Sequence, residues 1–200
     1  MKNAMFMVAV FMMALFSSAS LRAQVSFGDA VKFNDEWLFL QKDDSTAIQV
    51  SYDDSEWRKL RLPHDWSIEG QLSPSLASCT GYLPGGIAWY RKHFKIENRG
   101  NRKVFIEFEG IRQAGDFYLN GHRLGKHENG VMAVGFDLTP YMKDGDNVLA
   151  VRIDNNWQYR EVATKAKFQW NDRNFNANYG GIPKNVYLYV KDSVYQTLPL

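Results

Sequence analysis

Between positions 170 and 179 the chain gathers Trp170, Asn171, Asp172, Arg173, Asn174, Asn176, Asn178 and Tyr179. This mixture suits a saccharide. A pyranose offers an apolar ring face, which an aromatic side chain covers, and a rim of hydroxyls that each want a donor and an acceptor. An Asn amide supplies both, and an Asp carboxylate accepts two bonds at once. In extended chain Asn174, Asn176 and Asn178 fall on one side, because strand side chains alternate with a period of two. The candidate substrate-binding set is therefore Trp170, Asp172, Asn174, Asn176, Asn178 and Tyr179. Asparagines also cap turns in ordinary loops, and the residues alone leave both uses open.

Other chemistries find little support. No Gly-x-Ser-x-Gly nucleophile elbow occurs. The four histidines, His64, His93, His122 and His127, lack metal-ligand spacing. Asp53-Asp54 and the Asp144/Asp146 pair read as turn formers. No catalytic residue, metal ligand or cofactor is assigned. Cys79 is the single cysteine, which rules out an intramolecular disulfide.

The elements that would position the 170–179 stretch are strands. Short runs of period-two alternation recur along the chain. They are 89–96 (WYRKHFKI), 103–109 (KVFIEFE), 116–119, 122–124, 147–154 (NVLAVRID) and 185–191 (NVYLYVK), with weaker candidates at 36–40 and 57–62. Asn120-Gly121 sits between two runs and signals a tight hairpin. Residues 138–143 (LTPYMK) read as a single helical turn. Eight or nine such strands separated by turns predict an all-β sandwich. Two stretches break the alternation: 67–86, rich in Ser, Pro and Gly, and 157–183, long and polar-aromatic. Long irregular segments in compact domains are often functional.

Bulk properties narrow the class. Two hundred residues with 45% hydrophobic and 23% charged suit one domain with a real core. Lys2, the apolar run 4–16 and the small residues 17–20 have the order of a secretory signal peptide, too short for a comfortable permanent span. The expected organisation is a leader over 1–23, cleaved after Ala19 or Ala23, and one domain over 24–200. The expected location is periplasmic or extracellular. Loss of Lys2 and Arg22 with the leader balances acids and bases in the mature chain, leaving no electrostatic footprint for nucleic acid.

A series of ordered motifs carries a resemblance. Leu62-Pro63-His64-Asp65-Trp66 is followed by Gly81-Tyr82-Leu83-Pro84-Gly85-Gly86-Ile87-Ala88-Trp89-Tyr90-Arg91-Lys92. Phe108-Glu109-Gly110, Tyr118-Leu119-Asn120-Gly121, Phe136-Asp137-Leu138-Thr139 and Tyr179-Gly180-Gly181-Ile182-Pro183 continue the series. Together, over roughly 33–191, they resemble the N-terminal sugar-binding domain of glycoside hydrolase family 2, β-galactosidase-like. The resemblance implies a jelly-roll β-sandwich, like galactose-binding domains, that precedes an immunoglobulin-like domain and a catalytic (β/α)₈ barrel. Such enzymes are retaining glycosidases with two catalytic glutamates, the acid/base in an Asn-Glu pair. This sequence contains no Asn-Glu dipeptide, so the catalytic pair is expected outside it.

The resemblance also implies that the loop before the last strand reaches the bound sugar. Here Asn174-Phe175-Asn176-Ala177-Asn178-Tyr179 departs from the usual Arg-Trp-Tyr-type run. His64, Asp65 and Trp66 are expected to be a structural motif that ties a loop to the sandwich. The implied partners are a β-galactoside or related glycan and the other domains of a parent enzyme, with no stable membrane span after cleavage. A free-standing carbohydrate-binding module and a purely structural sandwich are the alternatives.

Overall fold

The structure is a computed structural model, and it describes residues 30–76, 82–97, 100–167 and 179–195. The leader region, Cys79 and the stretch 168–178 lie outside these. The described chain is a β-sandwich. Its six-stranded sheet runs in the order β3-β2-β5-β10-β7-β8, where β2 is Trp37–Leu40, β3 is Arg58–Leu60, β5 is Ile87–Phe94, β7 is Ala114–Leu119, β8 is His122–His127 and β10 is Asn147–Asp154. Its four-stranded sheet runs β1-β12-β6-β9, from Ala30–Lys32, Val186–Lys191, Lys103–Phe108 and Val134–Asp137. A two-stranded ladder joins β4, His64–Asp65, to β11, Gly181–Ile182. The sandwich expected from sequence is thus present. The strand count rises to twelve because β1, β4, β9 and β11 are too short to show a period.

The alternation does what a half-buried strand requires. Val104, Ile106 and Phe108 of β6 face Leu149, Val151 and Ile153 of β10 across one buried cluster, joined by Val186 and Leu188. Trp37, Tyr90, Phe108 and Phe117 extend this core in mostly edge-on and tilted ring contacts. The β7–β8 hairpin turns at Asn120 (φ 51°) and Gly121 (φ 84°), both left-handed as a two-residue turn of this twist demands. The single helical turn expected over 138–143 is a 3₁₀ turn at Thr139–Tyr141.

Strand β5 departs from simple alternation. Ala88, Trp89, Tyr90, Arg91 and Lys92 are all buried. Ala88 and Tyr90 face the main core. Trp89 faces outward, where Ala47 and Trp57 cover it. The segment between β2 and β3, including a 3₁₀ turn at Ser45–Ile48, forms this outer lid. Arg91 holds it. Its guanidinium donates to Asp54 Oδ2 at 2.6 Å, to the Gln49 carbonyl at 3.0 Å and to the Ala47 carbonyl.

Candidate functional site

Of the sugar-binding candidates, Trp170, Asp172, Asn174, Asn176 and Asn178 lie outside the described residues. Tyr179 is described and half exposed. It stands at the far end of the long irregular segment, where that segment enters β11. The structure shows in detail how this end is fastened.

His64-Asp65 forms β4, and β11 lies antiparallel to it with Gly181 opposite Asp65 and Ile182 opposite His64. Asp65 Oδ1 accepts the backbone N–H groups of Gly180 at 2.7 Å and Ser67 at 2.9 Å. The Trp66 N–H donates to the Gly180 carbonyl at 3.0 Å. Asn155, fully buried one residue after β10, completes the knot. Its Oδ1 accepts from Gly86 N–H at 2.8 Å, and its Nδ2 donates to Ser67 Oγ at 2.8 Å and to the Tyr179 carbonyl at 3.3 Å. Ser67 Oγ in turn donates to the Pro84 carbonyl at 2.7 Å. The start and end of the 67–86 stretch and the end of the 157–183 stretch therefore meet at one place.

Asn155→Ala would strip three hydrogen bonds from this knot and leave the Gly86 N–H buried without its acceptor. The expected cost is about 2–4 kcal/mol of folding stability, read as a lower urea midpoint. An unchanged midpoint would show that the knot is not a structural tie.

Behind β4, the His64 imidazole is buried between Tyr90 and Glu69. Its Nδ1 is 2.7 Å from the Tyr90 hydroxyl, and its Nε2 lies 3.3 Å from Glu69 Oε1. Arg58 grips Glu69 with two bonds of 2.6 and 2.8 Å. That bidentate grip, with His64 beside it, lowers the Glu69 carboxyl to about 2. Burial holds His64 below its ordinary value, against the opposing pull of Glu69. The unfolded chain therefore takes up the His64 proton first as pH falls. The His64 contribution is fully present above about pH 6.5, the unfolded value, and is lost as pH drops through the lower folded value. His64→Gln should flatten the stability slope below pH 6.5. Equal slopes in both proteins, from urea midpoints between pH 7 and 5, would refute this.

The near end of the long segment is fastened elsewhere. Glu128, just past β8, accepts from the Tyr159 hydroxyl and from the Val162 N–H at 2.9 Å. Lys126 lies 3.4 Å from the Tyr159 hydroxyl. Lys167 Nζ stands 5.5 Å from the Trp157 ring centre. Sequence reasoning missed Glu128, Ser67 and Asn155. Only Asn155 left a trace, as a polar residue directly after a strong strand.

Next to Tyr179 stands a third group that sequence reasoning did not single out. Arg112 exchanges two backbone hydrogen bonds with Gly181, at 2.8 and 2.9 Å. Its guanidinium is half buried and lies 6.0 Å from the Tyr179 ring centre. Burial lowers the Arg112 pKa from its ordinary value, with Tyr179 and Asp65 pulling the other way. The neighbouring Gln113 is 1% exposed, yet neither of its side-chain polar atoms has a hydrogen-bond partner among the described residues. Trp66 Nε1, against Gly180, is also without one. A flat ring, a cation and an unsatisfied amide thus surround the Gly180-Gly181 turn. These are recognition groups rather than a nucleophile with its base. Among the described residues no cluster of three or more His, Cys, Asp or Glu could hold a metal ion. No helix among them is long and apolar enough to cross a membrane.

Known proteins share this architecture. A β-glucuronidase of Formosa agariphila is 37% identical over 176 residues, 84% of this chain and 18% of its own length. A β-galactosidase of Bacteroides ovatus, BoGH2A, is 45% identical over 143 residues, 70% of this chain and 16% of its own. Among solved structures, a β-glycosidase from Bacteroides vulgatus superposes with a TM-score of 0.70 at 38% identity, covering 82% of this chain and 20% of that one. A family 2 β-glucuronidase reaches a TM-score of 0.72 at 35% identity, covering 86% of this chain and 18% of its own. The chain thus spans a fifth or less of the proteins it matches. The family description "Glycosyl hydrolases family 2, sugar binding domain" matches residues 23–192. With the sandwich, the ordered motifs and this match in agreement, the chain belongs to glycosyl hydrolase family 2, as its sugar-binding domain.

Proposed function

We propose that this domain forms one wall of the substrate pocket in an exported β-galactosidase- or β-glucuronidase-like enzyme. The general acid and the nucleophile are carried by a barrel outside this sequence. The observation that carries the reading is the fastening of the long segment at both ends, on Glu128 and on the Asp65–Asn155 knot. A segment held so firmly at its roots can present Asp172, Asn174, Asn176 and Asn178 in fixed positions at little further entropic cost. The leader pattern from Lys2 to Ala23 supports export. Relatives named for glucuronides and for galactosides are about equally similar, which leaves the sugar as either class.

In a full-length parent, Asp172→Ala and Asn174→Ala should each lower kcat/KM about tenfold or more, the worth of a hydrogen bond to a sugar hydroxyl. Folding should be unaffected. Unchanged kinetics in both variants would remove the segment from the pocket. The 200-residue chain itself should not turn over nitrophenyl glycosides, and turnover above blank would place catalysis within it.

A further inference from the structure

We propose that Arg112 recognises the carboxylate of an acidic sugar, with Gln113 and the Tyr179 ring completing the subsite. This rests on the reading that the Gly180-Gly181 end of the domain faces the substrate, and it narrows the substrate to a uronosyl residue.

The argument starts from what Arg112 lacks. A guanidinium stays protonated in a protein, so it cannot escape burial by shedding its charge. Every other buried cation among the described residues has a partner. Arg91 has Asp54 and two carbonyls, and Lys92 has the Asp35 carbonyl. Arg112 is half buried, and among the described residues its side chain meets only the Tyr179 ring. Asp65 is the acid whose field reaches it. The two make no ion pair, and Asp65 Oδ1 is already taken by the N–H groups of Ser67 and Gly180. The guanidinium fork therefore remains available. Its geometry matches a carboxylate with two parallel bonds.

The second observation is independent of charge. Gln113 is more deeply buried than Arg112, and its amide has neither donor nor acceptor satisfied among the described residues. Buried polar groups are rarely left so, and an unmet amide at a recognition surface points to a polar guest. A sugar acid brings both requirements together. The carboxylate meets Arg112, a hydroxyl meets the amide, and the apolar ring face meets Tyr179. A neutral hexose would leave the cation unpaired. The backbone exchange between Arg112 and Gly181 fixes this group to the same turn that roots the long segment.

The test uses the 200-residue chain. Its Arg112 side-chain Nε–Hε signal, assigned by its disappearance in Arg112→Lys, is followed by NMR during titration with methyl β-glucuronide, methyl β-galactoside and acetate. The expected result is a saturable shift with glucuronide at concentrations at least tenfold below any response to galactoside or acetate. Arg112→Gln, folded by circular dichroism, should abolish the shifts that glucuronide causes at the Gln113 and Gly181 amides. Equal response to galactoside would overturn the carboxylate inference while leaving the pocket reading intact. Equal response to acetate would reduce Arg112 to a non-specific anion contact and overturn it as well. Silence towards both sugars would overturn the inference and remove this turn from the pocket.

Discussion

Gly181→Ala should destabilise the domain by about 3–5 kcal/mol, and the loss arises from two causes that add. Gly181 has φ +118°, a backbone conformation that an L side chain rarely adopts. A Cβ there would also stand 2.3 Å from the Tyr90 hydroxyl, 2.8 Å from the His64 carbonyl and 3.2 Å from Trp66 Cε3. None of these can withdraw. Tyr90 is fully buried and bonded to His64, the carbonyl belongs to the β4 backbone, and Trp66 is in the core. Relief would require β11 to leave β4, which breaks the Arg112–Gly181 exchange and moves Tyr179. Gly110→Ala is the matched control. Its Cβ would meet only the methylenes of Lys184, at 3.2 Å and beyond, and a flexible side chain can move aside. The measurement is urea unfolding followed by tryptophan fluorescence. A Gly181→Ala midpoint equal to that of Gly110→Ala would show that the turn is not constrained as described.

The contrast between these glycines shows what a sequence can disclose here. Strands β6, β10 and β12 were legible because each buries one face, so that Val104, Ile106 and Phe108 repeat with period two. Strand β5 was found, but not its environment. Arg91, Lys92 and His93 look like a solvent face, and only the lid over Trp89 reveals that Arg91 and Lys92 are buried. The ladder of β4 and β11 could not be read at all. It consists of two residues on each side, separated by more than a hundred positions, and is held by Asp65 and Asn155 rather than by a pattern. The polar residues of the long segment were visible by composition. Arg112 and Gln113 were not, since a single Arg-Gln pair ahead of a strand carries no periodicity and acquires meaning only when Gly181 and Tyr179 are brought beside it.

Arg91→Met should cost about 3–5 kcal/mol, the usual consequence of removing one partner from a buried ion pair. The isosteric stem keeps most of the packing, so the loss is electrostatic. Asp54, 9% exposed, would keep only His93 at 2.8 Å, and the carbonyls of Ala47 and Gln49 would each lose a donor. Burial pushes the Asp54 carboxyl up, but the bonds from His93 and Arg91 outweigh it and hold the net value below the ordinary one. Its contribution is thus present above about pH 4, the unfolded value, and is lost as pH falls through the lower folded one. In Arg91→Met that acid sensitivity should shrink, because the group that favours the ionised form is gone. Asp54→Asn combined with Arg91→Met should cost less than the two single changes together, since no unpaired charge remains. Strict additivity would mean that the pair does not act as a unit. Because Arg91 faces the outer lid while Tyr90, its neighbour, faces His64, the two sides of β5 can be separated experimentally. Arg91→Met should accelerate hydrogen exchange first across the 45–57 lid, leaving the Gly180 amide protected until global unfolding. Early exchange at Gly180 would instead couple the lid to the sugar-facing turn through β5.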